Sequence, residues 1–170
     1  MVVWLIGLSG AGKTTLANKI ISNAKKESIN AVLLDGDLVR EVFGNDLDYT
    51  MESRLINANR ICQLGKLLDD QGINVVTAIL SIFPDTRVWN RKNIKNYYEV
   101  FIDTPIEALI DRDDKGIYGK YNRGEIADVA GMDIEFISPS NPDLVIENIG
   151  SKKHLLSYAN QIVEIMKNQS

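Results

Sequence analysis

Nine residues near the start of the chain, Gly7-Leu8-Ser9-Gly10-Ala11-Gly12-Lys13-Thr14-Thr15, have the types and spacing needed to hold a polyphosphate. In the pattern G-x-x-x-x-G-K-S/T the loop must turn tightly and offer bare backbone N–H groups to an anion, so glycine stands where a side chain would intrude. The apolar run Val2–Ile6 precedes the loop and a helical pattern follows it. That order points the positive end of a helix dipole at the same anion. Lys13 is expected to reach the β- and γ-phosphates of ATP, and the Thr14 hydroxyl to ligate Mg²⁺. Gly7, Ser9, Gly10, Ala11, Gly12 and Thr15 complete the expected nucleotide cradle.

A second group follows the run Val32-Leu33-Leu34, where Asp35-Gly36-Asp37 and then Arg40 place two carboxylates at the end of a strand expected to neighbour the first. Phosphoryl transfer to a hydroxyl needs a carboxylate near the γ-phosphate, as base or as Mg²⁺ organiser. Asp35 suits both roles because it ends the strand. Asp37 is the second candidate for the catalytic base, or else caps the next helix, and the alternative gives both aspartates to turn and cap alone. Arg40 lies about one turn into the helix that follows, and Arg54, Asn57 and Arg60 open the long helix after it. A guanidinium suits phosphate-like groups through its planar fork of donors. For any one of these arginines taken singly, a solvated or ion-paired surface role is the alternative.

The elements that must position these groups follow from periodicity. Strand-like runs recur at Val2–Ile6, Ala31–Leu34, Asn74–Ala78, Glu99–Ile102 and Leu144–Ile146, separated by helical patterns. Such alternation predicts an α/β fold, a P-loop NTPase with a parallel sheet of about five strands and helices on both faces. Ligands in such sheets bind beyond the carboxyl ends of the strands. The apolar positions of Leu55–Leu68 form one stripe, and Lys152–Lys167 reads as a terminal amphipathic helix with His154 solvated. Residues 113 to about 142 are polar, Gly-containing and weakly periodic, which suits a mobile lid over nucleotide; an ordinary surface loop is the alternative.

With 170 residues and 45 % apolar content, one domain spanning 1–170 is expected. The net charge of -4 is spread along the chain, so no nucleic-acid polymer is expected as partner and a polyanionic substrate has to meet a local basic pocket. The lone cysteine, Cys62, excludes an internal disulfide and a Cys-based metal site. It fits a cytoplasmic protein and reads as core. Residues 1–6 lack a basic leader, and neither a signal peptide nor a membrane span is expected.

Taken together these segments resemble the adenylylsulfate kinase family, which transfers phosphate from ATP to the 3′-hydroxyl of adenosine 5′-phosphosulfate. The resemblance covers nearly the whole chain. It rests on Gly7–Thr15, Leu34-Asp35-Gly36-Asp37 with Val39-Arg40, and Asn45-Asp46-Leu47 leading to Arg54 and Asn57. It continues through Ala78-Ile79-Leu80-Ser81 with Phe83, Val100–Pro105, Arg112-Asp113-Asp114-Lys115-Gly116-Ile117-Tyr118, Gly124-Glu125-Ile126 and Asn141–Ile146. The resemblance implies that Asp35 acts near the attacking 3′-hydroxyl, that Arg40, Arg54 and Asn57 hold the acceptor, and that Arg112 and Lys115 handle ATP. It also implies a homodimer, since family members are often dimers. Ser81 matches a serine often described as a phosphorylated intermediate, but direct in-line transfer needs no covalent step and a cleft-lining hydroxyl is the better reading.

The departures gather where the acceptor base is expected. The family usually reads Ile-Ser-Pro-Phe-Arg where this chain has Leu80-Ser81-Ile82-Phe83-Pro84, and Phe-Thr-Gly where it has Val129-Ala130-Gly131. It reads Gly-Phe where this chain has Asp48-Tyr49. Base–aromatic stacking is worth about 1–3 kcal/mol, so Val129 gives up much of one adenine face, leaving Tyr49 to stack the other. Kinases resembling this family act in bacterial capsule pathways on cytidine diphosphoramidate, whose smaller base tolerates the loss. The expectation is therefore 3′-phosphorylation of cytidine diphosphoramidate, with adenylylsulfate as the alternative acceptor and a non-catalytic nucleotide switch as the remote one. Ile82, Phe83 and Val129 are the residues expected to line that altered pocket.

Overall fold

The computed structural model describes residues 1–113 and 115–168; Asp114, within the expected lid, lies outside them. Five strands, β1 (Val2–Ile6), β2 (Ala31–Asp35), β3 (Asn74–Ala78), β4 (Tyr97–Asp103) and β5 (Leu144–Glu147), form one sheet in the order β2-β3-β1-β4-β5. Every pairing is parallel. Parallel neighbours need crossovers, supplied by α1 (Lys13–Lys26), α2 (Gly36–Val42), α3 (Met51–Asp70), α4 (Pro84–Asn93), α5 (Ile106–Arg112) and α6 (Ile117–Asn122), with α7 (Lys152–Asn168) closing the fold.

The central strand β1 is fully buried, and its alternation divides the core. Val3 and Leu5 join Leu16, Ala17 and Ile20 of α1 and Leu155, Ile162 and Met166 of α7 on one face. Val2, Trp4 and Ile6 face Ile61 and Cys62 of α3 on the other. Burial pushes the Cys62 thiol up to about 12, in keeping with a core role. His154 is exposed, its ring edge-on to Tyr158 at 5.4 Å. Among the described residues no helix is long and apolar enough to cross a membrane.

Element boundaries differ from the sequence reading for local reasons. α3 starts at Met51, one turn before its apolar stripe, because Thr50 caps it by accepting the Ser53 N–H at 3.4 Å. β4 starts at Tyr97 because its ladder with β1 begins there, at Val2, and the Tyr97 hydroxyl donates to buried Glu99 at 2.8 Å, giving the charged residue inside the strand a partner. One expectation fails: β2 does not neighbour β1. It pairs only with β3 at the sheet edge, because the β2-to-β3 crossover drops β3 into the slot between them.

β1 leads directly into the phosphate-loop sequence, and α7 leans on that loop. A Cβ at Gly12, where φ is +93°, would lie 2.5 Å from Leu155 Cδ2. At Gly7 it would come 2.8 Å from the Ile102 carbonyl. Gly12→Ala is therefore expected to lower stability by about 1–3 kcal/mol through combined strain and overpacking. Urea unfolding of Gly12→Ala, Leu155→Ala and the double variant checks it: the double variant should lose less than the sum, because removing Leu155 relieves the clash.

Candidate functional site

The carboxyl edge of the sheet opens into a cleft of about 690 Å³ bounded by the phosphate loop, the β2 and β3 exits and residues 126–130. Gly10 and Gly12 hold left-handed backbone, with φ of 78° and 93°, as the loop sequence requires. Lys13 opens α1 and folds back, its ammonium donating to the Gly7 and Leu8 carbonyls at 2.8 Å each. Burial, and then the charge of Lys115, lower its pKa to about 8 against the opposing pull of Asp35 and Asp37. The ammonium is thus short of negative charge, a state that a phosphate relieves.

Thr14 Oγ1 donates to Asp35 Oδ2 at 2.9 Å, so the expected Mg²⁺-side pair does meet. It meets across β3, because Asp35 ends a strand one place further out than expected. The other Asp35 oxygen accepts the Asp37 N–H at 3.0 Å, making Asp35 the N-cap of α2. The cap expected of Asp37 therefore falls to Asp35, whose extended backbone suits a capping position while Asp37 already lies within the helix. Asp37 instead accepts from the Tyr49 hydroxyl at 3.3 Å and stands 3.7 Å from Arg40.

Among the residues expected to hold the acceptor, Arg40 Nη1 and Asn57 Nδ2 converge on the Gly36 carbonyl, at 3.3 and 3.0 Å. Arg54 donates through Nε to the Tyr49 carbonyl at 2.6 Å and through Nη2 to the Asp128 carbonyl at 2.8 Å. Burial, and then the charge of Arg40, hold Arg54 below the usual guanidinium range. Tyr49 does not offer two free faces: the Arg40 guanidinium covers one at 4.7 Å from the ring centroid. Arg60 turns away from the cleft, forming a two-point pair with Asp46 at 2.8 and 2.6 Å. Val129 is buried, a member of the main core cluster that also lines the cleft beside Ile82 and Phe83. Ser81 is 4 % exposed, its Oγ held by the Trp4 indole N–H at 3.2 Å and its backbone at a φ of +54°.

Several structural contributors were missed by the sequence reading. Asn148, buried after β5, donates to the Ala11 carbonyl at 3.0 Å, and its own carbonyl accepts from Arg112 at 2.9 Å. The Tyr118 hydroxyl donates to the Ser9 carbonyl at 2.9 Å, while Asp113 accepts the Tyr118 and Gly119 N–H groups at 3.1 and 2.7 Å. Tyr118 could have been noticed in the Lys115–Tyr118 motif; Asn148 carries no local signal. Arg87, also buried, ties the Ser81 carbonyl to that of Ile137, at 3.0 Å each.

With this geometry in view, the adenylylsulphate kinase family matches residues 1–147. The chain belongs to the adenylylsulfate kinase family. It is 41 % identical over 147 residues to the cytidine diphosphoramidate kinase of Campylobacter jejuni, covering 86 % of this chain and 85 % of that one. It is 38 % identical over 147 residues to the adenylyl-sulfate kinase of Clostridium kluyveri, covering 86 % and 74 %. The fold matches the Mycobacterium tuberculosis APS kinase CysC in complex with AMPPNP and APS, with a TM-score of 0.88, 32 % identity, and coverage of 98 % and 96 %.

This adenylylsulfate kinase-family protein is an ATP- and Mg²⁺-dependent phosphotransferase acting on small nucleotides. The residues fit that chemistry. Glycines leave the cradle open, Lys13 has no carboxylate in ion-pair contact among the described residues, and Thr14 and Asp35 present two oxygens side by side. Mg²⁺ keeps waters and phosphate oxygens among its ligands, so two protein oxygens suffice. Among the described residues no larger cluster of carboxylate, His or Cys ligands exists.

The lowered Lys13 pKa has a measurable consequence without nucleotide. Unfolded Lys13 holds its proton up to about 10.5, so above pH 8 the unfolded chain binds more protons and stability rises with pH. The gain is expected to reach about 2–3 kcal/mol by pH 10.5, some of it lost to solvent screening. Lys13→Met should lack this rise when the two pH–stability curves are subtracted.

Proposed function

We propose that this kinase transfers the γ-phosphoryl group of ATP to the 3′-hydroxyl of a nucleoside 5′-diphosphate-like acceptor, with cytidine diphosphoramidate favoured. The observation carrying this reading is that Arg40 and Arg54 line the same cleft as Lys13 and meet at Tyr49, Arg40 over its ring at 4.7 Å and Arg54 on its carbonyl at 2.6 Å. Two like charges lower one another's comfort in a partly dry site, and an anion bound between them relieves both. A nucleotide-dependent switch has no use for such a second anion pocket.

In this reading the loop residues Gly7–Thr15 hold the ATP phosphates, with Arg112 and Lys115 on the lid side. Thr14 and Asp35 would hold Mg²⁺ there, and the ion would supply neutralising charge to the ATP phosphates. Asp35 accepts the proton of the attacking 3′-hydroxyl, and Asp37 orients Arg40. Arg40, Arg54 and Asn57 hold the 5′-diphosphate-like part, and Tyr49, Ile82, Phe83 and Val129 frame the base. Ser81 frames the loop rather than reacting, since its hydroxyl is buried and engaged by Trp4.

The acceptor preference is supported by the base-facing surfaces. Val129 presents a small aliphatic face from within the core, and one face of Tyr49 is covered by Arg40, leaving poor purchase for a purine sandwich. The similarity to the Campylobacter jejuni enzyme points the same way. Adenylylsulfate is the second reading, favoured by the likeness to the Clostridium kluyveri and Mycobacterium tuberculosis proteins.

A panel of nucleotide acceptors incubated with Mg·ATP and followed by phosphorus NMR decides between them. The expected result is a higher kcat/KM for cytidine diphosphoramidate; efficient turnover of adenylylsulfate with none on cytidine nucleotides gives the second reading instead. Asp35→Asn is expected to cut kcat by about 10²–10⁴-fold while ATP binding persists, measured by single-turnover transfer and nucleotide titration. If Asp37→Asn is the crippled variant, the base is the other carboxylate.

A further inference from the structure

Val129 lines the cleft, and its peptide is held by a small hydrogen-bonded loop. The Asp133 carboxylate accepts the N–H groups of Asp128 and Val129, at 2.8 and 2.6 Å. The Val129 carbonyl in turn accepts the N–H groups of Met132 and Ile134, at 3.0 and 3.2 Å. From outside this small loop, Arg54 of α3 donates to the Asp128 carbonyl at 2.8 Å. Asp128 sits at a φ of +60°, a left-handed conformation that aspartate adopts more readily than most non-glycine residues and that turns the chain here. Asp133 itself is exposed and is not among the residues lining the cleft.

We propose that Asp133 is a positioning residue for the acceptor: its carboxylate and the Arg54 guanidinium grip the 128–129 peptides from opposite sides and hold the Val129 wall against the bound base. This rests on the acceptor pocket proposed above. Arg54 is the link between the two ends of the acceptor. The same guanidinium that meets the anionic part also fixes the wall beside the base, so a shift of one moves the other. In that reading the ATP phosphates are held by Gly7–Thr15, apart from the hydrogen bonds that join Arg54, Asp128, Val129 and Asp133.

The sign of the effect separates positioning from a simple field. Removing a negative charge near an anionic acceptor would tighten binding, whereas releasing the wall weakens it. Steady-state kinetics of Asp133→Ala and Asp133→Asn, with whichever acceptor the unmodified kinase uses, are paired with NMR amide exchange at Asp128 and Val129. Asp133→Ala should raise the acceptor KM about tenfold, leave kcat and the ATP KM within about twofold, and speed exchange at both amides. Asp133→Asn keeps one accepting oxygen and should fall between. An unchanged or lowered acceptor KM overturns the proposal, as does a parallel loss in ATP KM and kcat, which would mean general loosening. If the unmodified protein phosphorylates no acceptor, the functional reading fails by itself, and unchanged amide protection in Asp133→Ala would still overturn the positioning role.

Discussion

The site depends on the contact between the Thr14 hydroxyl and the Asp35 carboxylate at 2.9 Å. It joins the start of α1, which follows the central strand, to the end of the edge strand β2, with β3 lying between them. Asp35 also caps α2, so one carboxylate sets the relation between the donor loop and the helix that carries Arg40. The Gly36 carbonyl, the next group along, gathers Arg40 and Asn57 and so extends that placement to α3. A shift of β2 against β3 would therefore disturb both halves of the cleft together.

Much of this was legible in the residues. The phosphate loop is local in sequence, and its glycines and lysine are demanded by one turn of backbone and one anion, so Gly7–Thr15 fell where expected. The buried parallel strands read as continuous apolar runs because both faces meet helices. Strand order was not legible at β2, since nothing within Ala31–Asp35 states which strand will lie beside it. The helix cap went to Asp35 instead of Asp37 because capping depends on backbone dihedral angles that the Asp-Gly-Asp spelling leaves open. Asn148 meets Ala11 across a separation of 137 residues, a contact with no local signal.

The electrostatic character of the cleft is similarly non-local. The chain is acidic overall, with a net charge of -4, yet Lys13, Arg40, Arg54, Arg112 and Lys115 all line one concavity. These cations come from four separate stretches of sequence, so no basic run betrays them. Concentrating positive charge where solvent is partly excluded makes the empty pocket electrostatically uncomfortable, and polyanionic ligands gain accordingly.

The hydrogen bond from the Trp4 indole to the Ser81 hydroxyl has an optical consequence. Trp4 is wholly buried in the central strand, and its indole N–H donates to Ser81 in the segment that follows β3. Indole emission responds to whether its N–H is hydrogen-bonded and to the polarity around the ring. In the reading proposed above Ser81 stands in the loop that frames the acceptor, so a displacement of Ser81 would register as a change in the emission colour of Trp4, a residue outside the cleft lining.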